Sequence, residues 1–372
     1  MLISMLLCIC ICLSLIFNGY MENIFIVLSV GLFYKLIFVD KEYKYIGYSA
    51  VISYILVSVL MMTLFRNYIK FNDIQPEKEK QETVVLLVSE GESRNYNMKE
   101  RMTELYYTKG SKSYLTLVPN LYKYKSYYAE LGSSDFKEKS EDIASKLRPK
   151  LGANYKVVNS YIHSEPYFEN SLEDIIEKGY KKIIICPVFM TEGEGFRVFK
   201  ERYESLDLST YNLTQLDVLN TFYKSENLSV LYKNEILKNM THSGKEAGII
   251  LVGLKNKNNL EQDILFRERL RDDILRSQKN NNNIKIKLPL LENNKKDIIK
   301  SGEELLEYGI DNLYVVLPTC TIDTMYTKHL VESILRELDN GNTKFYYVNQ
   351  NIKTDILVEE IITKVILSKI GG

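Results

Sequence analysis

The sequence predicts an α/β protein in which two similar, doubly wound parallel-sheet halves follow an N-terminal helical membrane region. Three observations carry that reading. Beyond residue 82, short valine- and isoleucine-rich runs alternate with amphipathic helical patterns, which is the arrangement of a parallel sheet covered by helices. Leu172–Phe189 (LEDIIEKGYKKIIICPVF) is matched in kind by Glu303–Cys320 (EELLEYGIDNLYVVLPTC). Each is an amphipathic helix, a capping glycine, a polar turn, a buried strand and a proline at the strand's carboxyl end. The first 70 residues, by contrast, are dominated by apolar runs.

Those runs are Met1–Phe17, Ile24–Val39 and Gly47–Phe65, and they predict three transmembrane helices within residues 1–70. A cleaved signal peptide is the rival for the first run, but it has no basic start and no small-residue cleavage site. Lys41 and Lys44 lie between the second and third runs, whereas Arg66, Lys70, Lys78 and Lys80 follow the third. The larger basic count predicts a multi-pass protein of the cell membrane with its C-terminal region in the cytoplasm.

Residues 71–82 (FNDIQPEKEKQE) read as a charged linker. The first half is expected over 83–240 and opens with strand Thr83–Val88. Helix Phe136–Leu151, with Pro149 at its end, follows, then strand Tyr155–Tyr161, a helix closed by Gly179, and strand Lys181–Phe189. The second half, 246–372, opens with AGIILVGLK and is joined to the first near Thr241–Lys245. SQKNNNN at 277–283 is a solvated turn before strand Ile284–Leu288. Ligands of open α/β sheets bind beyond the carboxyl ends of the strands. The expected site therefore draws on Ser89–Glu92, Cys186–Gly195, Gly253–Lys255 and Pro318–Thr324.

Composition narrows the partners. Lysine and arginine (48) balance aspartate and glutamate (48), so no global field favours nucleic acid. Five cysteines, three of them in the first apolar run, make no disulfide framework. No CxxC, HExxH, phosphate loop or G-x-S-x-G occurs.

The order of motifs over most of residues 83–370 resembles the class II tetrapyrrole metal chelatases, the ferrochelatase and sirohydrochlorin-chelatase superfamily. VVLLVSEG is similar to their opening strand. YAELGSSDFKEKSEDIASKL resembles a Gly-Ser turn leading into a helix. IHSEPYFENSLEDIIEKGYKKIIICPVF, LDVLNTFYKSENLSVLYKNEIL and YGIDNLYVVLPTCTIDTMY follow in the family's order. The resemblance implies a chelatase-like fold, a tetrapyrrole bound between the halves, a divalent metal (Fe or Co) as the second substrate, and no nucleotide. It also implies departures. The turn where ferrochelatases carry a histidine reads ILVGLKNK, with none at Gly253, Leu254 or Lys255. Asp323 of DTMY stands where an E-T-L-Y-like glutamate would. Against the sirohydrochlorin-type G-H-G-S-R and P-x-F-x-x-x-G-x-H patterns the chain has SEGESR and PVFMTEGE, so Glu90 and Glu194 replace two histidines.

Metal insertion requires a ligand for the metal, an acceptor for two pyrrole protons, and donors for the rim carboxylates. Glu90 and Glu194 are the expected metal ligands and, with Asp323, the expected catalytic groups, with Glu92 and Glu192 converging nearby. A partly desolvated acid beside another acid is held toward neutrality and accepts protons. Solvated loop acids at helix starts are the plain alternative. Lys123, Tyr124, Lys125 and Arg197 are the expected ring-binding residues. The first three lie in Tyr106–Tyr128, where lysine and tyrosine interleave (Lys109 and Lys112 included) and where ferrochelatases have a mobile segment near the porphyrin. Interfacial anchoring of a membrane-tethered domain is the stronger explanation of that composition. Lys200 follows Arg197, and His329 is the histidine nearest the expected site, while His163 and His242 share no ligand spacing. Cys186 and Cys320 read as small buried hydrophobes. Two functions follow: a metal chelatase (a lyase), or a catalytically inactive haem- or metal-binding or scaffold protein of the same fold at the membrane. Transport by the apolar helices themselves rests on Lys35 alone.

Overall fold

The computed structural model describes residues 2–17, 19–39, 43–72, 74–240, 246–254, 260–277, 284–291, 295–338, 341–349 and 354–370. The expected join at Thr241–Lys245, with His242, and the residues Lys41, Lys255 and 278–283 lie outside them. The chain forms two units: residues 1–69 with 93–134, and residues 70–92 with 135–372.

The first unit is helical. It comprises α1 (Leu2–Ile16), α2 (Tyr20–Tyr34, continued by a π-helical turn Lys35–Val39), α3 (Tyr43–Phe65), α4 (Met98–Lys109) and α5 (Lys112–Leu131). Two stretches of 19 residues, Tyr20–Phe38 and Gly47–Phe65, are long and apolar enough to cross a bilayer. The first expected span is a helix of only 15 residues, which at 1.5 Å per residue reaches roughly 22 Å of an apolar core about 30 Å thick. Residues 106–128 are not a loose segment. Met98, Met102 and Leu105 of α4 and Leu117 and Leu121 of α5 bury themselves against Cys12, Leu15, Val57, Met61 and Met62.

The second unit holds both α/β halves. The first runs β1 (Lys80–Ser89), α6 (Phe136–Leu151), β2 (Tyr155–Tyr161), α7 (Phe168–Glu177), β3 (Tyr180–Pro187), α8 (Glu194–Glu204), β4 (Gln215–Val218) and α9 (Glu226–Met240). The second runs β5 (Ala247–Leu251), β6 (Gly253–Leu254), α10 (Leu260–Ser277), β7 (Ile284–Lys287), β8 (Leu290–Leu291), α11 (Lys296–Glu307), β9 (Asn312–Val316), α12 (Met325–Glu337), β10 (Lys344–Tyr347) and α13 (Asp355–Ile370). The sheet orders are β2-β1-β3-β4 and β7-β5-β9-β10. Counted within each half, both are 2-1-3-4, and every pairing in them is parallel. The repeat read from sequence is therefore a repeat of topology. The central strands β5 and β9 are buried along their whole length, and β1 from Thr83 onward, which is why they read as unbroken apolar runs.

One core joins the halves. Val85, Leu87 and Ile184 of the first sheet and Ile249, Leu251 and Tyr314 of the second share it with Leu147 of α6, Tyr232 of α9, Phe266 of α10 and Ile361 of α13. Two expected boundaries move. Residues 93–134, expected inside the first half, belong to the helical unit. The expected linker ends early, because Glu77 N–H donates to the Glu177 carbonyl (2.8 Å) and β1 already begins at Lys80, whose N–H donates to the Gly179 carbonyl (2.9 Å).

Candidate functional site

In a 2-1-3-4 sheet the chain reverses direction of winding between strands 1 and 3, so a crevice opens at their carboxyl ends. In the first half that point is the end of β1 beside the end of β3. The register Ser89↔Tyr161 sets the two following loops side by side. Ile162 N–H donates to the Ser89 carbonyl (3.0 Å) and His163 N–H to that of Glu90 (2.8 Å). Arg202 of α8 secures this loop from beneath. It donates to the Ile162 carbonyl at 2.5 Å and holds the Glu169 carboxylate by two bonds of 2.5 and 2.6 Å.

Glu90 is exposed and its carboxylate lies over the first turn of α8. A Cβ at Gly195 would fall 3.1 Å from its Oε1 and 2.8 Å from the Phe189 ring. The absence of a side chain there lets the carboxylate meet the positive end of the helix. Glu194, one residue earlier, is turned to a different partner: Arg197 donates to it at 2.6 Å and pairs equally with Glu201. Arg197, expected to meet an anionic ligand, is held between two carboxylates of its own helix. The N–H of Glu192 donates to Gln262 Oε1 of α10 (2.8 Å).

In the second half the corresponding point is the end of β5 beside the end of β9, and Asp323 follows β9. Asp323 is 3% exposed. Its Oδ1 accepts from the Tyr347 hydroxyl at the end of β10 and stands 3.8 Å from Cys320 Sγ. Its Oδ2 is buried with no hydrogen-bond partner. Burial pushes the Asp323 carboxyl above the usual carboxylate range, with the Tyr347 bond opposing that rise. Burial likewise pushes the Cys320 thiol well up, and the Asp323 and Glu90 carboxylates add to it, so the two strand ends share one electrostatic environment. Asp323 and Cys320 line a recess with Lys139, Tyr232, Asn349 and Thr354. It has about 30 Å³ of space for water, room for roughly two ordered molecules.

At Gly253, where the turn after β5 begins, the space a side chain would take is already occupied. Arg267 of α10 donates to Asp263 Oδ2 at 2.7 Å and to the carbonyls of Leu251 (3.2 Å), Leu288 (3.1 Å) and Pro289 (3.4 Å). Thr319 completes Asp263 from the β9 side at 2.8 Å. A Cβ at Gly253 would lie 2.4 Å from Arg267 Nη2 and 2.5 Å from Asp263 Oδ2. Gly253→Ala should therefore lower stability by about 1–3 kcal/mol, and Gly253→His by more. The check is the thermal midpoint of each variant, and an unshifted midpoint for the histidine variant would show that the ion pair yields freely.

Lys123, Tyr124 and Lys125 lie in the helical unit. Lys125 donates to the carbonyls of Ser14 (2.8 Å) and Phe17 (2.7 Å) and pairs with Glu22 (2.9 Å). Tyr124 lies under the Arg101 guanidinium (3.1 Å to the ring centroid), and Lys123 sits 5.9 Å from the Tyr127 ring. Glu92, grouped in the sequence with the site acids, accepts from Met325 N–H in the first turn of α12 (2.9 Å). His163 is brought beside Glu90 by strand register, which residue spacing does not reveal. His329 is half-buried on α12 and Cys186 is buried within β3, its thiol pushed up to about 12 by burial. Among the described residues no group of three or more His, Cys, Asp or Glu side chains is placed to hold a metal ion.

No family model matches the chain. It is 35% identical over 86 residues to a ferrochelatase of Sulfurihydrogenibium sp., covering 22% of this chain and 26% of the relative. It is 28% identical over 90 residues to a ferrochelatase of Aquifex aeolicus, covering 23% and 29%. The chain thus matches about a quarter of the length of these curated relatives. Among solved structures, sirohydrochlorin chelatase SirB from Bacillus subtilis subspecies spizizenii in complex with cobalt aligns over 76% of this chain and 94% of its own, at 13% identity and a TM-score of 0.47. SirB from Bacillus subtilis with Fe3+ aligns over 77% and 97%, at 13% identity and a TM-score of 0.48. The resemblance read from motif order is to the same group of proteins, the chelatases.

Proposed function

We propose that the α/β unit is a chelatase-type module that binds a tetrapyrrole at the carboxyl ends of its strands and inserts or handles a divalent metal, Fe or Co, while the apolar N-terminal helices anchor it in the cell membrane with the module on the cytoplasmic side. The observation that carries this reading is that a carboxylate follows a switch-point strand in each half, Glu90 after β1 and Asp323 after β9. Glu90 is exposed against the start of α8, and Asp323 is buried with an unpartnered oxygen.

The two acids suit different tasks. Glu90, open to solvent at a helix start, is the metal ligand, with Glu194 as a second ligand once Arg197 swings aside. Asp323, held above the usual carboxylate range by burial, is suited to accept a pyrrole proton near neutral pH. Lys123, Tyr124 and Lys125 contribute to ring binding only if ligand binding displaces the bonds that Lys125 makes to Glu22 and the α1 carbonyls. A metal held by carboxylates alone is held by hard ligands, with water and the ring nitrogens completing its coordination. No nucleotide is needed.

The test is to incubate the full-length chain with protoporphyrin or sirohydrochlorin and Fe²⁺ or Co²⁺ and to follow the absorption spectrum. Metal insertion should occur, and Glu90→Ala should slow it by about 100-fold or more. A second reading has its own support: the filled turn at Gly253 and the Arg197-bound Glu194 favour a binding or scaffold protein without catalysis. Stoichiometric ring binding with no metal insertion would decide for it.

A further inference from the structure

The chain leaves the α/β unit after Glu92 and returns to it at Asp135. Both of these boundary residues are bonded to the first turn of one helix, α12. Glu92 accepts from Met325 N–H with both oxygens, at 2.9 and 3.2 Å. Asp135 Oδ1 accepts from Lys328 Nζ at 2.6 Å. Asp323 lies two residues before that turn begins, and Cys320 three residues before Asp323.

α12 does not depend on Glu92 for its cap. It already has a reciprocal box, in which Thr324 Oγ1 accepts from Thr327 N–H (3.2 Å) and Thr327 Oγ1 accepts from Thr324 N–H (2.9 Å). Thr327 also reaches Asp323 Oδ1 at 3.5 Å, so the cap and the carboxylate move as one piece. The bonds from Glu92 and Asp135 are additional to this cap, and they come from the other half of the unit. Glu92 is also only two residues from Glu90, so one short loop carries a carboxylate over α8 and a second carboxylate onto α12.

We propose that Glu92 and Asp135 are positioning residues for Asp323. By fastening the departing and returning strands of chain to the first turn of α12, they hold Asp323 and Cys320 in fixed relation to Glu90. The value of that relation for catalysis rests on the chelatase reading, but the positioning itself does not. Plain stabilisation of α12 is the rival account, and it is separated by a local readout.

The readout is the alkylation rate of Cys320 by a maleimide in the full-length chain, resolved by peptide mass spectrometry, with Cys186 inside β3 as internal reference. Thermal midpoints are measured on the same samples. Glu92→Ala should raise the Cys320 rate by about tenfold relative to Cys186. Glu92→Gln keeps an oxygen for Met325 N–H and should stay near the parent rate, and Lys328→Met should raise the rate through the Asp135 side alone. Equal acceleration at Cys186 and Cys320, or an unchanged Cys320 rate in both Glu92→Ala and Lys328→Met, overturns the proposal. If Glu92→Ala fails to fold, Lys328→Met decides alone. No tetrapyrrole enters the experiment, so positioning confirmed in a chain that inserts no metal would remove only the chelatase reading.

Discussion

Arg202→Met should lower the stability of the α/β unit by about 3–5 kcal/mol, the range seen when one partner of a buried ion pair is removed. The guanidinium and the Glu169 carboxylate have side chains only 7% and 6% exposed, and they meet through two bonds. Methionine fills most of the volume but leaves Glu169 charged, buried and unpaired, and it removes the donor from the Ile162 carbonyl. The double variant Arg202→Met/Glu169→Leu should recover most of the loss, because an apolar pair needs no compensation. Unfolding by denaturant, followed through far-ultraviolet circular dichroism, measures both. A double variant no more stable than the single one would place the whole effect in the lost bond to Ile162. That bond matters for the site: it holds the loop whose His163 N–H supports the Glu90 carbonyl, so the single variant should also impair Glu90.

Local pattern carried much of this architecture. Helix α6 and strand β2 occupy the residues that periodicity predicts. The two copies of helix, glycine, strand and proline became α7–β3 and α11–β9, in sheets of the same order. Such elements are legible because burial on both faces leaves an unbroken apolar run, whatever the rest of the chain does. The pairing of Glu194 with Arg197, and of Arg197 with Glu201, was equally open to reading, since spacings of three and four residues face each other on a helix. The stripe Met98, Met102, Leu105 has the same property and marks α4 as a packed helix, even beside lysines and tyrosines whose composition fits a membrane surface.

What stayed hidden depends on contacts between distant parts of the chain. Nothing near Asp323 in sequence announces Tyr347, 24 residues on. The Gly253 turn is closed by Arg267 from α10 and, through Asp263, by Thr319 from beyond β9. The absence of histidine from that turn is a sequence fact, whereas the buried ion pair that fills the space beside Gly253 is a tertiary one.

Asp323→Asn is expected to stabilise the protein near neutral pH while removing the proposed metal insertion. The folded state holds this carboxyl above its ordinary range, chiefly through burial. Between the ordinary value and the folded one, the folded chain binds more protons than the unfolded chain, so stability falls as pH rises through that window. Above the window Asp323 is ionised with Oδ2 unpartnered, a situation worth about 1–3 kcal/mol of destabilisation. Asparagine keeps an oxygen for the Tyr347 hydroxyl and carries no charge, and water in the adjoining recess can receive its amide. The variant should therefore melt higher than the parent at neutral pH. The difference should shrink toward zero in acid, where Asp323 is protonated in the parent as well; other titrating groups are common to both chains and cancel. Insertion of metal should fall by about 100-fold, because the amide accepts no proton. Gain in stability with loss of turnover marks a group retained for function at the expense of the fold. Thermal melts of both chains across acid and neutral pH, set beside the insertion assay, measure the two halves of the claim. A variant that melts lower than the parent at neutral pH would mean that the carboxylate is satisfied where it stands, and Asp323 would then lose its standing as the proton acceptor.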